Sequence, residues 1–180
     1  MPKRIVLTGF MGAGKSTVGV RLARELGWAF VDLDDEIVRA ERKSIAKIFE
    51  TAGETEFREL EHRALAAVLQ RDEIVLALGG GAMETAGNRQ LLGSDAETLL
   101  LYLEAPFDVL IARCEEQYIE QSEAVRRPVL EKRAELAGRF LRRQPLYESA
   151  HWTIKTAGCD PDEIVQRILV RWKEHARGQL

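Results

Sequence analysis

The stretch Gly9-Phe10-Met11-Gly12-Ala13-Gly14-Lys15-Ser16 decides the fold of this chain. It fits the pattern G-x-x-x-x-G-K-[ST] without a mismatch, and it lies between an apolar segment at residues 4–8 and a helical pattern at residues 15–26. A strand, then a glycine-rich turn, then a helix is the context in which this pattern holds phosphate groups. An ordinary glycine turn is the alternative, and the presence of both pattern and context argues against it.

The loop also predicts which groups would contact a nucleotide. Its glycines allow backbone angles that bring N–H groups against phosphate oxygens, and the helix behind the loop adds a partial positive charge. Lys15 is expected to reach the β and γ phosphates, and Ser16 is expected to bind Mg²⁺. A guanine-specific GTPase would need an Asn-Lys-x-Asp sequence, but the only asparagine, Asn88, is followed by Arg89. ATP is therefore the predicted nucleotide.

Short apolar segments alternate with longer amphipathic segments along the whole chain. The predicted strands are residues 4–8, 28–32, 73–78, 98–103 and 152–156. The predicted helices are residues 15–26, 34–52, 54–70, 85–92, 106–114, 128–147 and 160–176. The first three strands are continuously apolar, as expected when helices cover both faces of a parallel sheet. The pattern predicts an α/β sandwich formed as a single domain over residues 1–180.

The composition excludes several classes of protein. The 180 residues are 46% hydrophobic, so a real core can form, and the net charge of -3 gives no general attraction to nucleic acid or to an anionic membrane. The two cysteines, Cys114 and Cys159, lie far apart without ligand-like spacing, so neither a disulfide framework nor a zinc site is expected. No apolar run approaches membrane-spanning length, and the one at the N-terminus is too short for a signal segment. A cytoplasmic location is expected.

Two carboxylates follow the second predicted strand, in Asp32-Leu33-Asp34. The carboxyl ends of the strands in an open parallel sheet face the ligand crevice, beside the phosphate loop. One carboxylate could hold a water on Mg²⁺, and the other could accept a hydrogen bond from the hydroxyl that receives the phosphoryl group. A helix N-cap is the alternative role for Asp34.

Arg58 and Glu61 are spaced one turn apart in a predicted helix. Glu61 could orient Arg58 toward a substrate carboxylate, although the spacing alone favours a weak ion pair on a surface helix. The triplet Gly79-Gly80-Gly81 follows the third strand, where it suits either a close approach of backbone to a ligand or a plain turn.

Three further arginines are candidates for binding anions. Arg143 stands in a basic last helical turn, and Arg113 resembles an ordinary solvated surface charge, so both have structural alternatives. Arg127 ends the segment 114–127, whose acidic part fits a solvated helix extension and whose basic end fits a mobile lid. A lid arginine can reach the transferring phosphoryl group as the lid closes.

Taken together, these features resemble shikimate kinases over nearly the whole chain. The resemblance rests on residues 12–17, on Asp32-Leu33-Asp34, on residues 53–58 with Glu61, on residues 75–81, on residues 127–130 and on residues 143–147. The segment from Arg58 through the triple glycine is the most specific of these, because other phosphate-loop kinases share the first motif but not this one.

The resemblance implies a reaction and a fold. ATP and shikimate would give ADP and shikimate 3-phosphate, a step toward chorismate in the biosynthesis of aromatic amino acids. The implied fold is a three-layer sandwich with a five-stranded parallel sheet, similar to nucleoside monophosphate kinases. It carries an acceptor-binding helical region at about residues 33–62 and a lid at about residues 114–127. The implied protein is a monomer whose partners are the small molecules ATP and shikimate, with Mg²⁺ as cofactor.

The resemblance also implies a role for each site residue. The catalytic residues would be Lys15, Asp34 and Arg127, with Arg126 as the alternative to Arg127. The ATP-binding residues would be Gly12, Ala13, Gly14, Lys15, Ser16, Thr17, Arg113 and Arg127. The acceptor would be bound by Asp34, Arg58, Gly80 and Arg143, and the metal by Ser16 directly and by Asp32 through water.

Two other functions compete with this interpretation. A related carboxylate sugar kinase, such as one acting on gluconate, would share the ATP half of the site and differ in the acceptor half. A non-catalytic nucleotide-binding module should have lost Lys15, Ser16 or Asp34, and all three are present.

Overall fold

The computed structural model describes residues 2–119 and 133–177. Five parallel strands form one sheet in the order β2-β3-β1-β4-β5. The strands are β1 (Arg4–Thr8), β2 (Ala29–Asp32), β3 (Ile74–Ala77), β4 (Thr98–Glu104) and β5 (Trp152–Lys155). The central strand β1 pairs with β3 on one side and with β4 on the other, so that Val6 lies opposite both Leu76 and Leu100.

Helices alternate with these strands along the described parts of the chain. They are α1 (Lys15–Leu26), α2 (Leu33–Glu41), α3 (Ile45–Val68), α4 (Ala86–Ser94), α5 (Phe107–Ile119), α6 (Arg133–Tyr147) and α7 (Pro161–Arg177). A short 3-10 helix, Ala82–Glu84, precedes α4. Every residue of β1 and β3 is buried, because helices cover both faces of the sheet. The predicted α/β three-layer fold with a five-stranded parallel sheet is confirmed.

One predicted helix is wrong. Residues 34–52 do not form a single helix, because Arg42 adopts a left-handed conformation (φ 54°) and ends α2 with a hydrogen bond from its N–H to the Val38 carbonyl. Ser44 then begins α3, where its hydroxyl accepts a hydrogen bond from the Lys47 N–H at 3.2 Å. Gly53, at the predicted boundary between the helices 34–52 and 54–70, is a kink inside α3, with φ 80° and ψ 179°.

The predictions at residues 106–147 also need adjustment. The helix expected at 106–114 extends to Ile119. Of the helix expected at 128–147, residues 128–132 lie outside the described residues, and α6 is described from Arg133 onward. Within residues 2–119 and 133–177, no helix combines the length and the apolar character needed to cross a membrane.

The edge of the sheet at the carboxyl ends of the strands and the edge at their amino ends carry different groups. At the carboxyl ends of β1, β2 and β3, the chain passes directly into the glycine-rich loop, into α2 and into the triple glycine. At the opposite edge, Arg4 is 5% exposed and donates hydrogen bonds to Asp72, Asp95 and Glu97 at 2.9–3.4 Å. Functional side chains therefore collect at the first edge, and ion pairs around the buried side chain of Arg4 stabilise the second.

Replacing Arg4 with methionine is expected to lower the free energy of unfolding by about 2 kcal/mol, because the carboxylates of Asp72, Asp95 and Glu97 lose hydrogen bonds to a charged donor. Lys3→Met is the matched control. Lys3 pairs with Asp72 and Glu97 too, but its side chain is 47% exposed, so its replacement should change stability little. Denaturant unfolding of both variants tests the expectation, and equal losses of stability would contradict it.

Candidate active site

The glycine-rich loop has the backbone that a phosphate cradle needs. Gly12 and Gly14 have φ angles of 74° and 88°, in the left-handed region that favours glycine. A Cβ atom on Gly12 would also collide with the Leu110 carbonyl, because the loop packs against α5. Gly14 precedes α1 without a side-chain cap, so the first N–H groups of α1 are left for a ligand.

Lys15 lies folded back on this loop. Its Nζ donates hydrogen bonds to the carbonyl oxygens of Gly9 at 2.8 Å and of Phe10 at 3.1 Å. Burial lowers the pKa of Lys15 to about 8, against the charges of Asp32 and Asp34, which raise it. The ammonium group is thus held close to where the predicted phosphates would lie. Because burial disfavours its charge, an anionic ligand that binds beside it would stabilise the charged form.

Asp32 has two hydrogen-bond partners, and they define its role. Its Oδ1 accepts from the Asp34 N–H at 3.0 Å, so Asp32 is the N-cap of α2. Its Oδ2 accepts from the Ser16 hydroxyl at 3.1 Å. The alternative that made Asp34 the N-cap is therefore wrong, and the carboxylate of Asp34 does not cap α2.

Asp34 lies in the first turn of α2, where it faces the phosphate loop. Burial raises the pKa of Asp34, the charge of Asp32 raises it further, and the charge of Lys15 opposes both. A cavity of about 310 Å³ brings together most of the predicted acceptor and phosphate groups. Its polar lining includes Lys15, Ser16, Asp32, Asp34, Gly80, Arg139 and Arg143.

Arg58 is held by a carboxylate from inside the protein. Glu61 is only 1% exposed, and both of its oxygens accept from Nη1 of Arg58, at 3.1 and 3.0 Å. Burial raises the pKa of Glu61, and the charge and hydrogen bonds of Arg58 oppose that rise. The pair is therefore not the solvated surface pair that the spacing alone favoured, and it fixes where the guanidinium of Arg58 lies.

Arg143 lies in α6 and lines the cavity that contains Asp34. Its Nη2 donates to Oε2 of Glu84 at 2.7 Å, and its buried Nε has no hydrogen-bond partner within the described part of the chain. One turn later on α6, the hydroxyl of Tyr147 donates to the Gly80 carbonyl. Tyr147 is fully buried, so it fixes the backbone of Gly80 beside Arg143.

The two arginines line different cavities. Arg143 lines the cavity that contains Asp34, whereas Arg58 lines a larger one of about 860 Å³ between α3 and α4. Glu84 joins them, since its Oε2 lies 2.7 Å from Nη2 of Arg143 and 3.7 Å from Nη2 of Arg58. The predicted acceptor set is thus brought to one region, but Arg58 and Asp34 do not share a cavity in this conformation.

The triple glycine explains how these side chains come so close to the backbone. A Cβ atom on Gly79 would lie 2.9 Å from Oδ1 of Asp34, and one on Gly80 would lie 3.6 Å from Nη1 of Arg143. A Cβ atom on Gly81 would overlap the guanidinium of Arg58. None of the three has a positive φ, so no unusual backbone angle requires glycine here. Space favours glycine at 79 and 81, whereas a Cβ atom at 80 would make only an ordinary van der Waals contact with Arg143.

A third cavity, of about 280 Å³, lies on the other side of the loop. It is lined by Gly12, Ala13, Gly14, Thr17, Val18, Arg113, Glu116, Cys159, Pro161 and Ile164. Arg113 donates to the carbonyl and to the hydroxyl of Thr156, at 2.6 and 3.0 Å. Arg113 therefore lies in this cavity with part of the predicted ATP-binding set, while Arg126 and Arg127 lie outside the described residues.

Three residues of the site were not among those predicted. Tyr147 belongs to the motif that follows Arg143, but its hydrogen bond to Gly80 joins residues that are distant in sequence. Arg139 lies one turn before Arg143 on α6, a spacing that could have indicated a shared face. Glu84 gives no sequence signal, because a lone glutamate after a glycine run is an ordinary surface residue.

A phosphate loop between β1 and α1 of a parallel sheet, facing a cavity with a carboxylate and arginines, defines a phosphate-loop kinase with a nucleoside monophosphate kinase-like fold. The family model for shikimate kinase matches residues 11–173. The chain is 40% identical to the shikimate kinase of Salinibacter ruber over 173 residues, covering 93% of this chain and 83% of that protein. It is 37% identical to that of Persephonella marina, covering 94% of this chain and 98% of the relative.

The same family is found among solved structures. The structure of shikimate kinase from Acinetobacter baumannii in complex with shikimate matches with a TM-score of 0.82 and 36% identity. That match covers 97% of this chain and 95% of the other. This chain belongs to the shikimate kinase family.

The position of Lys15 gives a direct test of the site's electrostatics. In the protein without nucleotide, Lys15 is expected to titrate at about pH 8, and adding ATP should raise its pKa because the triphosphate favours the charged amine. ATP affinity should therefore be highest below about pH 8 and should fall as the pH rises further.

Carbon-detected NMR of the lysine Cε, assigned with Lys15→Met, measures the titration. Calorimetry at pH 8.5 in buffers of different ionisation heat measures proton uptake on ATP binding, and Lys15→Met should lack the part that is due to this lysine. An ordinary lysine titration near 10.5 in the nucleotide-free protein would contradict the expectation.

Proposed function

We propose that this chain transfers the γ-phosphoryl group of ATP to the 3-hydroxyl of shikimate, giving ADP and shikimate 3-phosphate. The observation that carries the proposal is the cavity in which Asp34, Gly80 and Arg143 lie together with Lys15 and Ser16. Membership of the shikimate kinase family supports this acceptor over gluconate.

The nucleotide is proposed to bind along the loop, from Gly12 to Thr17. Backbone N–H groups at the start of α1 would hold the phosphates, and Lys15 would exchange its loop carbonyls for phosphate oxygens. The adenine end would enter the cavity beside Arg113, whose guanidinium is fixed by Thr156. Lys15 would then supply the positive charge nearest to the γ-phosphoryl group as it is transferred.

Ser16 and Asp32 fit the requirements of Mg²⁺. The hydroxyl and the carboxylate are hard oxygen donors, and they lie 3.1 Å apart. Mg²⁺ keeps several waters in kinase sites, and a group of three His, Cys, Asp or Glu side chains suited to a metal is absent from the described residues. When bound, Mg²⁺ neutralises charge on the phosphate oxygens. Ser16 would contact the ion directly, and Asp32 would hold one of its waters.

Asp34 is proposed to accept the proton of the acceptor hydroxyl. Its raised pKa brings the carboxylate closer to neutral pH, which makes it a better proton acceptor than an ordinary aspartate. Arg58 and Arg143 would hold the acceptor's carboxylate, since planar guanidinium groups match the two oxygens of a carboxylate. Gly80 would contribute backbone beside Arg143.

The rest of the chain is proposed to position the two substrates. Residues 33–62 would form the acceptor-binding region and residues 114–127 the lid, with Arg127 reaching the transferring phosphoryl group. The whole chain would act as one domain and as a monomer in the cytoplasm.

A coupled assay of ADP release with shikimate, quinate and gluconate tests the acceptor. Shikimate is expected to give a kcat/KM at least about 100-fold above either alternative, because a misplaced hydroxyl leaves buried polar groups unpaired. Gluconate turned over as well as shikimate would contradict the acceptor assignment. ADP release with no acceptor in the panel would contradict the proposed reaction.

Asp34→Asn is expected to lower kcat by about 100- to 10,000-fold, because the variant cannot take the hydroxyl proton. ATP affinity should stay the same. In the wild type, activity should fall as the pH drops through the raised pKa of Asp34, and this acidic limb should be missing from the residual activity of the variant.

Asp35→Asn is the matched control, since Asp35 is the exposed neighbour in the same helical turn. Its kcat should stay within about twofold of the wild type. Equal turnover by Asp34→Asn and the wild type would remove Asp34 from the chemistry.

A further inference from the structure

The two proposed acceptor arginines are already surrounded by carboxylates. Arg58 lies within 4 Å of Glu54, Glu61 and Glu84, and Arg143 lies within 4 Å of Glu84. Three negative charges therefore face two positive charges before any substrate arrives. An incoming carboxylate would add a fourth negative charge around these two arginines, and its binding would be strengthened if one of the three moved away.

Glu84 is the carboxylate that lies where an acceptor carboxylate would have to bind. A single oxygen, Oε2, is 2.7 Å from Arg143 and 3.7 Å from Arg58. Glu54 and Glu61 form ion pairs with Arg58 and, within the described residues, not with Arg143. Glu84 thus occupies the position between the two guanidinium groups that the proposed function assigns to the substrate.

Glu84 is also free to leave that position at low cost. Its side chain is 33% exposed on the short 3-10 helix, and it lines the open cavity between α3 and α4. Glu61, in contrast, is 1% exposed, and moving it would leave a buried charge without a partner. The turn of a glutamate side chain into water requires no change in the backbone.

The bond between Glu84 and Arg143 leaves part of the guanidinium unused. Glu84 engages Nη2, while the neighbouring Nε is buried without a hydrogen-bond partner within residues 2–119 and 133–177. A carboxylate that binds in the plane of the guanidinium can engage two nitrogens at once. A substrate carboxylate would therefore satisfy a donor that Glu84 does not.

We propose that Glu84 is a specificity-determining residue that competes with the acceptor's carboxylate for Arg58 and Arg143. It holds the two arginines in the ligand-free protein and turns out to water when the acceptor binds. This inference rests on the proposed function. It predicts that Glu84 weakens the binding of every anionic acceptor and that only an acid able to use both arginines displaces it.

The test compares Glu84→Gln with the wild type by calorimetric titration with shikimate and by steady-state kinetics. Removing the charge is expected to lower the Kd and the KM for shikimate about three- to tenfold, the effect of losing a partly exposed competing ion pair. The KM for ATP should not change. The uncharged methyl ester of shikimate should bind both proteins equally, because it does not compete for the arginines as an anion.

Glu84→Asp is a second variant, which keeps the charge but withdraws it by one methylene, and it should also tighten the binding of shikimate. Glu59→Gln is the matched control. Glu59 lines the same cavity as Glu84 and is exposed, and it forms no ion pair with a described residue. Its replacement should leave the Kd for shikimate within about twofold.

An unchanged or weaker affinity for shikimate in both Glu84 variants would overturn the inference, because Glu84 would then only position the arginines. Equal tightening by Glu59→Gln would also overturn it, since the effect would then come from general charge. Absence of turnover by the wild type with shikimate would instead contradict the proposed function itself, so the two failures are distinguishable.

Discussion

The order of the strands is the constraint on which the rest of the site depends. Because β1 lies between β3 and β4, the loop after β1 must run beside the triple glycine that follows β3. The end of β2 lies next to β3, and it brings Asp32 and Asp34 to the same edge. Parallel pairing makes all of these ends coincide, so segments that are far apart in sequence become neighbours.

The charged side chains at this edge are stabilised in the same way, by partners within the protein. Burial lowers the pKa of Lys15 and raises the pKa of Asp34, so each group is moved toward its uncharged form. The cations are meanwhile given partners from the protein: loop carbonyls for Lys15, Glu84 for Arg143, and Glu61 for Arg58. Both substrates in the proposed reaction would therefore replace bonds that the protein already makes with itself. Binding becomes an exchange of partners, which makes the net gain smaller than the number of contacts suggests.

Most strands and helices could be predicted from the sequence because their signals are local, whereas the order of the strands could not. The phosphate-loop pattern and the continuous apolar strands each depend on neighbouring residues, and the sheet followed from them. The break at Arg42 was missed because a left-handed residue is usually glycine or asparagine, and arginine carries no such signal. The capping of α2 by Asp32 and the bridge made by Glu84 depend on side-chain direction and on contacts between distant segments. Neither can be read from spacing, and both decide how charges are balanced in the site.

The three consecutive glycines also limit how this site can change over evolutionary time. A Cβ atom at 79 would press against the carboxylate of Asp34 and one at 81 would overlap the guanidinium of Arg58, whereas one at 80 would only touch Arg143. A substitution of Gly79 or Gly81 is therefore expected to displace a side chain of the site. A descendant that acquired a new acceptor would have to alter this tripeptide together with the side chains opposite it. Such paired changes are rare, so positions 79 and 81 are expected to drift more slowly than exposed positions elsewhere on the protein.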